Sequence, residues 1–208
     1  MRRFISKQRV VLYLFFMLLL TTSCKQKLEE QVQAYLEAHN SGDVEKELSF
    51  FVENPKYEVV DQWTRVGMEN LRTLIETDAA LNNQLTVKNV KVSKNRVTCS
   101  LEERSDWLKL AGIDPLHYEY REFIFEEGLI KEIRSKATEK DAKALEAFRA
   151  SFFEWAMKNR PEEMKVLRRQ VVITKDNVGS WLDLLRAWRE EGQKEVEKPD
   201  LNLPPELK

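Results

Sequence analysis

The sequence predicts an α+β fold: helices first, then antiparallel strands joined in hairpins, then a helical extension. Three observations predict it. Apolar residues recur at helical spacing over residues 28–39 and 68–82. Over 85–92, 97–103, 118–125 and 129–135 the chain reads as strands, and short polar turns join these segments in pairs. From Lys140 onward the helical spacing returns and holds to about residue 191.

Each element has its own signal. In the first helix Leu28, Val32, Tyr35, Leu36 and Ala38 share a face, and Asn40-Ser41-Gly42 ends it. Asp43 is placed to cap a short second helix running to about Val52, with Leu48, Phe50 and Phe51 turned inward. Tyr57 to Asp61 reads as a strand. Met68 to Asn82 reads as a third helix with a stripe of Leu71, Leu74, Ile75 and Leu81. Ser93-Lys94-Asn95 closes one hairpin, and Glu126-Glu127-Gly128 closes another, with the glycine where a positive φ is expected. Between the hairpins, Asp106 to Leu116 is an excursion suited to a lid or a short helix. In the extension, Leu145, Phe148, Phe152 and Trp155 form one stripe. Pro161 opens a further helix, and Asp176 or Asn177 opens a last one bearing Trp181, Leu185 and Trp188.

The N-terminus reads as a targeting segment. Arg2, Arg3, Lys7 and Arg9 precede an unbroken apolar run of 11 residues, Val10 to Leu20, and then Thr21-Thr22-Ser23-Cys24. Spanning a bilayer core as a helix takes about 20 residues, so the run fits an export signal better than a permanent span. A cysteine directly after such a core resembles the bacterial lipobox, although Thr21 stands where an apolar residue is usual. The resemblance implies a lipoprotein signal over 1–23, acylation of Cys24 with chains such as palmitate, and a short tether over 24–27. Lys25 after the cysteine resembles outer-membrane sorting. A plain secretory signal or an uncleaved anchor are the alternatives.

The whole chain holds 34 basic and 35 acidic residues; the first 23 take four basic and no acidic ones, leaving 30 against 35, a net −5. A mixed, mildly acidic surface argues against nucleic acid as a partner, because that binding rests on clustered Lys and Arg. With Cys24 acylated, Cys99 is the remaining cysteine, so neither an intramolecular disulfide nor a cysteine-built metal site is expected. His39 and His117 lie too far apart in sequence for a zinc pair, and no metal or other cofactor is expected. His39 is expected to cap a helix end, and His117 to lie at the surface.

The order of helix, helix, strand, helix and four antiparallel strands resembles the nuclear transport factor 2-like superfamily, which includes SnoaL-like and ketosteroid isomerase-like proteins. The most specific piece is Tyr35-Leu-Glu-Ala-His-Asn-Ser-Gly-Asp43 followed by Leu48-Ser-Phe-Phe51. Gly67 to Leu71 and Phe123-Ile-Phe125 to Ile130-Lys-Glu-Ile133 support it. The resemblance implies a cone over 28–137, a curved antiparallel sheet wrapped around the N-terminal helices. A helical extension follows over 138–191, and a tail expected to be disordered over 192–208.

The superfamily holds enzymes and non-enzymes, so the site must be read residue by residue. The isomerase pattern needs a tyrosine, a carboxylate base and a second acidic donor. Tyr35 matches the first, but Val59 falls at the base and the third position falls near Arg121. That activity is not expected. Strand alternation places Asp61 with Tyr57 and Val59, and Arg121 with Phe123 and Phe125. An Asp61–Arg121 pair resembles part of the Asp–Arg–Asp set of the family's epoxide hydrolases, with Glu103 or Asp106 left to supply the third carboxylate. A salt bridge across the sheet accounts for the same pair. The expected pocket residues are Tyr35, Asp61, Trp63, Trp107, Arg121, Phe123 and Phe125. The favoured reading is a membrane-anchored envelope protein that binds a small hydrophobic ligand or a protein partner, without an assigned catalytic set; the resemblance leaves room for a homodimer through the sheet face. The rival is a hydrolase, isomerase or cyclase acting through Asp61 and Arg121.

Overall fold

The computed structural model describes residues 26–170 and 172–192. The expected signal, Cys24 and all but the first residue of the expected tail lie outside them.

Helix α1 (residues 26–41) buries Val32, Tyr35, Leu36 and Ala38, as the spacing requires. Gly42, at φ 69°, ends it in a conformation that favours glycine. Asp43 then caps α2 (Val44–Leu48) by accepting a hydrogen bond from the Lys46 amide at 3.1 Å. Here the structure departs from the sequence reading. The second helix stops at Leu48, and β1 (Phe51–Val59) begins at Phe51. Phe50-Phe51-Val52 is a strand-favouring run, and the Phe50 carbonyl accepts from the Ile130 amide at 2.7 Å, which a helix would not allow. Strand β2 (Trp63–Val66), absent from the sequence reading, folds back on β1 through a turn in which Asp61 takes φ 63°.

Helix α3 (Met68–Ala80) is followed by the hairpin β3 (Gln84–Ser93) and β4 (Arg96–Arg104). The excursion folds as α4 (Asp106–Ala111), capped by the Ser105 hydroxyl. A second hairpin, β5 (Leu116–Glu126) and β6 (Leu129–Ala137), turns at Glu127 and Gly128, both at positive φ. The six strands run in the order β2-β1-β6-β5-β4-β3. All neighbours are antiparallel except β1 and β6, which are parallel.

Register shifts interrupt the β1–β6, β3–β4, β4–β5 and β5–β6 ladders. Such irregularities bend and twist a sheet, which is how this one closes around α1 and α3. The shift between Tyr118 and Tyr120 also changes the phase of β5, so Tyr118 and Arg121 are both buried although three residues apart. The outer face carries ion pairs instead: Lys56 with Glu58 (2.7 Å) and Glu132 (3.0 Å), Arg134 with Glu58 (3.3 Å), and Arg96 with Glu122 (2.7 Å). Each contributes little to stability in water, and together they mark a solvated face.

The extension is α5 (Glu139–Asn159), α6 (Pro161–Arg169) and α7 (Val178–Ala187), closed by a π-helical turn (Trp188–Gly192). It has a core of its own around Phe148, Phe152, Trp155, Met164, Trp181 and Leu185. Trp107 of α4 packs against both this core and that of the cone, with ring centroids 6.0 Å from Phe148 and 6.3 Å from Phe152 and Trp181. The two ends of the cone differ. Near its start, α1 meets the β5–β6 turn, where the Gln31 amide donates to the Gly128 carbonyl. At its finish, Asn40 brackets Leu85 with hydrogen bonds of 2.7 and 2.9 Å, at the end where α4 and α5 also begin.

Candidate functional site

A polar chamber lies between the C-terminal half of α1, α3 and the sheet. It is a cavity of about 60 Å³, and its lining includes His39, Asp78, Asn83, Glu103, Tyr118 and Arg121. Tyr57 and Trp63, stacked at 5.6 Å and 20°, supply part of the apolar wall.

Arg121, 2% exposed, is the largest of the fully enclosed side chains. Its Nε donates to Ser135 Oγ at 2.9 Å, and its guanidinium lies 5.5 Å from the Tyr57 ring centroid and 5.7 Å from that of Tyr118. Burial opposes the charge of Arg121, but the surrounding tyrosines and Glu103 outweigh that effect, so it remains a cation. Glu103 accepts from the Tyr118 hydroxyl at 2.7 Å and from the Asn83 amide at 2.9 Å. From α1, His39 Nδ1 meets the buried Glu47 carboxylate at 2.9 Å. Burial works against a charged His39, yet Glu47 more than offsets it and raises its midpoint above the ordinary value. Asp78 of α3 is pushed up to about 7, first by desolvation and then by the Glu103 and Glu47 carboxylates, with His39 and Arg121 pulling the other way.

Three of these side chains carry a buried polar atom with no hydrogen-bond partner: His39 Nε2, Asn83 Oδ1 and Arg121 Nη1. A buried group left so costs about 1–3 kcal/mol. Around one small cavity the chain thus offers a fixed cation, an amide acceptor, an imidazole nitrogen and a carboxyl that changes charge near neutrality. That set can hold a polar group and can move a proton.

The structure distributes the residues expected from sequence as follows. Arg121 is central, and Trp63 lines the chamber. Tyr35 is buried in the core, 5.5 Å from Phe123 edge to face, and Phe125 is buried in the same cluster. Trp107 is a wedge between the two cores rather than a residue of the cone's mouth. Asp61 is corrected more sharply. Because β1 ends at Val59, Asp61 lies in the following turn, exposed, and lines a separate surface cleft with Glu119, Lys136 and Arg149. No ion pair joins it to Arg121 among the described residues. Of the two carboxylates considered as third members, Glu103 reaches the chamber, while Asp106 is held by the Asn82 amide at 2.6 Å.

Of the two histidines, His39 differs from expectation. His39 does not cap a helix end; it is 6% exposed and paired with Glu47. His117 is at the surface, but its Nδ1 meets Asp141 Oδ2 at 2.9 Å, a partner supplied by α5. Cys99 is a buried free thiol, pushed up to about 11 by desolvation. Among the described residues no three His, Cys, Asp or Glu side chains gather to hold a metal ion.

The sequence reading missed His39, Glu47, Asp78 and Asn83. A signal for two of them was present. Asp78 continues the stripe Leu71–Ile75 at the next helical step, and His39 continues Val32–Tyr35–Leu36. A polar residue on an apolar stripe is the informative exception, because it must be buried with a partner.

No family model and no curated protein matches the chain. Solved structures do. The epoxide hydrolase/cyclase-like enzyme SalBIII, which has a role in pyran ring formation in the polyether salinomycin, matches 56% of this chain and 95% of its own at 20% identity and a TM-score of 0.51. A protein of unknown function from Cytophaga hutchinsonii, described as nuclear transport factor 2-like, matches 56% and 94% at 12% identity and a TM-score of 0.46. A similar protein from Burkholderia xenovorans matches 55% and 84% at 14% identity and a TM-score of 0.45. At these identities the likeness concerns the backbone and not the chemistry. With its helices wrapped by a curved six-stranded sheet, the chain shares its backbone fold with SalBIII over 56% of its length.

Proposed function

We propose that this chain is a lipid-anchored protein of the bacterial envelope whose cone binds a small polar group of a ligand. The observation that carries the binding reading is the presence of three unpartnered buried polar atoms on side chains that line one cavity. A hydroxyl or amide that accepts from Arg121 and donates to Asn83 would recover part of their cost, and a carbonyl, which can only accept, would satisfy Arg121 alone. At about 60 Å³ the cavity takes such a head group and not the body of a drug-sized molecule, whose sites begin at about 300 Å³. The apolar part of any ligand would therefore lie outside it.

Magnetic resonance of residues 25–208 tests this. The Asn83 side-chain amide and the Arg121 Nε–H are followed while acetamide, acetone and ethanol are added in turn. Saturable shifts of both signals, with the Arg121 shift lost in Asn83→Leu, support the reading, and resonances unmoved by all three probes reject it.

A second reading, an acid–base enzyme of hydrolase, isomerase or cyclase type, is favoured by one feature: burial pushes the Asp78 carboxyl up to about 7 in the chamber that Arg121 also lines. Asp78 would take the part that the sequence assigned to Asp61. Turnover surviving intact in Asp78→Asn would count against it.

The anchor rests on the signal-like order of residues 1–24, and outer-membrane placement rests on Lys25. Alkyne-palmitate labelling that Cys24→Ala does not abolish would reject acylation there. A dimer through the outer sheet face would have to bury the Lys56–Glu58–Glu132–Arg134 pairs, which is costly. Sedimentation of residues 25–208 distinguishes monomer from dimer.

A further inference from the structure

The extension carries a second concavity, unconnected with the chamber. It is a groove of about 710 Å³ between α4, α5, α6 and the segment leading into α7. Its apolar lining includes Trp107, Phe153, Met157, Ile173 and Trp181. Phe153 and Met157, at 40% and 48% exposed, are with Val166 the exposed large apolar side chains of the described extension. Exposed apolar surface of this kind, concave and in the size range of ligand sites, marks binding more often than chance.

The polar groups at the groove give the ligand a sign. Arg149 and Arg168 line it, and neither meets a carboxylate among the described residues. Among the described residues Arg149 donates only to Gln62 Oε1, at 3.0 Å, and Arg168 only to the Met157 sulfur, at 3.8 Å. Both are exposed, so their forks are free to turn toward an anion. Trp181 Nε1 is buried without a partner at the same place.

We propose that this groove binds a single-chain aliphatic carboxylate, its chain against Phe153, Met157 and the tryptophan rings and its head group on Arg149 or Arg168, which lie at the two ends of that face of α5, Arg168 reaching it from α6 beside Met157. Neither part suffices alone. The apolar lining gives the affinity, and the two unpaired cations select an acid over a neutral chain of equal length. Helix α1 begins at the β5–β6 turn, whereas α5 begins at the opposite end of β6. On the anchor proposed above, the groove lies at the opposite end of the cone from the first described turns of α1, which suits a ligand in solution rather than a lipid in the membrane.

Calorimetry of residues 25–208, which contain every described element, tests the proposal with decanoate below its micelle concentration and decanol as the uncharged control. Decanoate is expected to saturate one site. The Arg149→Gln/Arg168→Gln double variant should weaken it at least tenfold and leave decanol unchanged, while Met157→Glu weakens both. Both arginines are exposed, so the double variant should melt as the parent does. The proposal is overturned by an absence of saturable decanoate binding, or by binding that the arginine pair does not affect. Binding lost in Arg121→Met would relocate the ligand to the cone, and binding seen only after removal of residues 193–208 would assign the groove to the chain's own end; either overturns it.

Discussion

Replacing Asp78 by Asn should stabilise the protein at pH 8 and leave it unchanged near pH 4. In the fold the Asp78 carboxyl titrates at about 7, against 3.8 for a free side chain, because burial and the Glu103 and Glu47 carboxylates disfavour its charge. At 1.36 kcal/mol per pH unit, that gap makes ionisation in the fold about 4 kcal/mol more costly than in the unfolded chain. The side chain keeps partial exposure, so water screens the charge, and roughly 1–3 kcal/mol is the expected effect. The sign follows from the raised midpoint. The unfolded chain releases its proton near 4 and the folded chain near 7, so this contribution is fully present below about 4 and is lost as pH rises through about 7. Asn carries no charge at either pH and removes the loss. Urea unfolding of both proteins at pH 4, 6 and 8 measures it, with the stability difference growing in favour of the variant across that range. A difference that does not change with pH, or a variant less stable at pH 8, would refute the assignment of Asp78 as the buried titrating group.

Other consequences are as direct. Phe152 is fully buried, stacks on Phe148 at 5.8 Å and touches Trp107, Trp181 and Trp188, so Phe152→Ala should cost about 3–5 kcal/mol in chemical denaturation. Arg121→Met leaves Glu103 without its buried cation and should destabilise by about 2–4 kcal/mol by the same assay, more than Arg168→Gln, which should be neutral. In Glu47→Gln, burial no longer has an opposing carboxylate at 2.9 Å, so the His39 midpoint should fall below 6.5, read from the imidazole carbon-bound proton shifts. His39 now contributes stability below 6.5 that is lost as pH rises through its raised midpoint; the variant should lack that contribution.

The fold was more legible in the sequence than the site, and particular residues show why. Periodicity is a local property, so α1, α3, both hairpins and the three extension helices follow from it almost to the residue. It failed where tertiary pairing decided. Phe50 to Val52 could extend a helix, and only the arrival of Ile130 makes them strand. The four-residue β2 is too short to show a period of its own and exists because β1 offers it an edge. The site suffered more. Asp61 seemed to share a face with Tyr57 because alternation was carried past the end of the strand, and one residue of turn was enough to send it outside. Tyr118 and Arg121 do share the interior because a register shift breaks the alternation that would have separated them. Neither event has a signal at a single position. His39 and Asp78 did have one, as polar residues on apolar stripes.

The parallel pairing of β1 with β6 bears on how the chain reaches its folded state. Phe51 lies opposite Ile130, so these two neighbouring strands are 79 positions apart in the chain. The hairpins of β3 with β4 and of β5 with β6 close over a few residues each, and they can form as they emerge from a ribosome or a membrane channel. The sheet cannot: its closure carries the entropy of a long loop and must wait for β6. Until then β1 has no partner but the short β2. A polypeptide built this way cannot complete its sheet until β6, which ends at Ala137, has been synthesised.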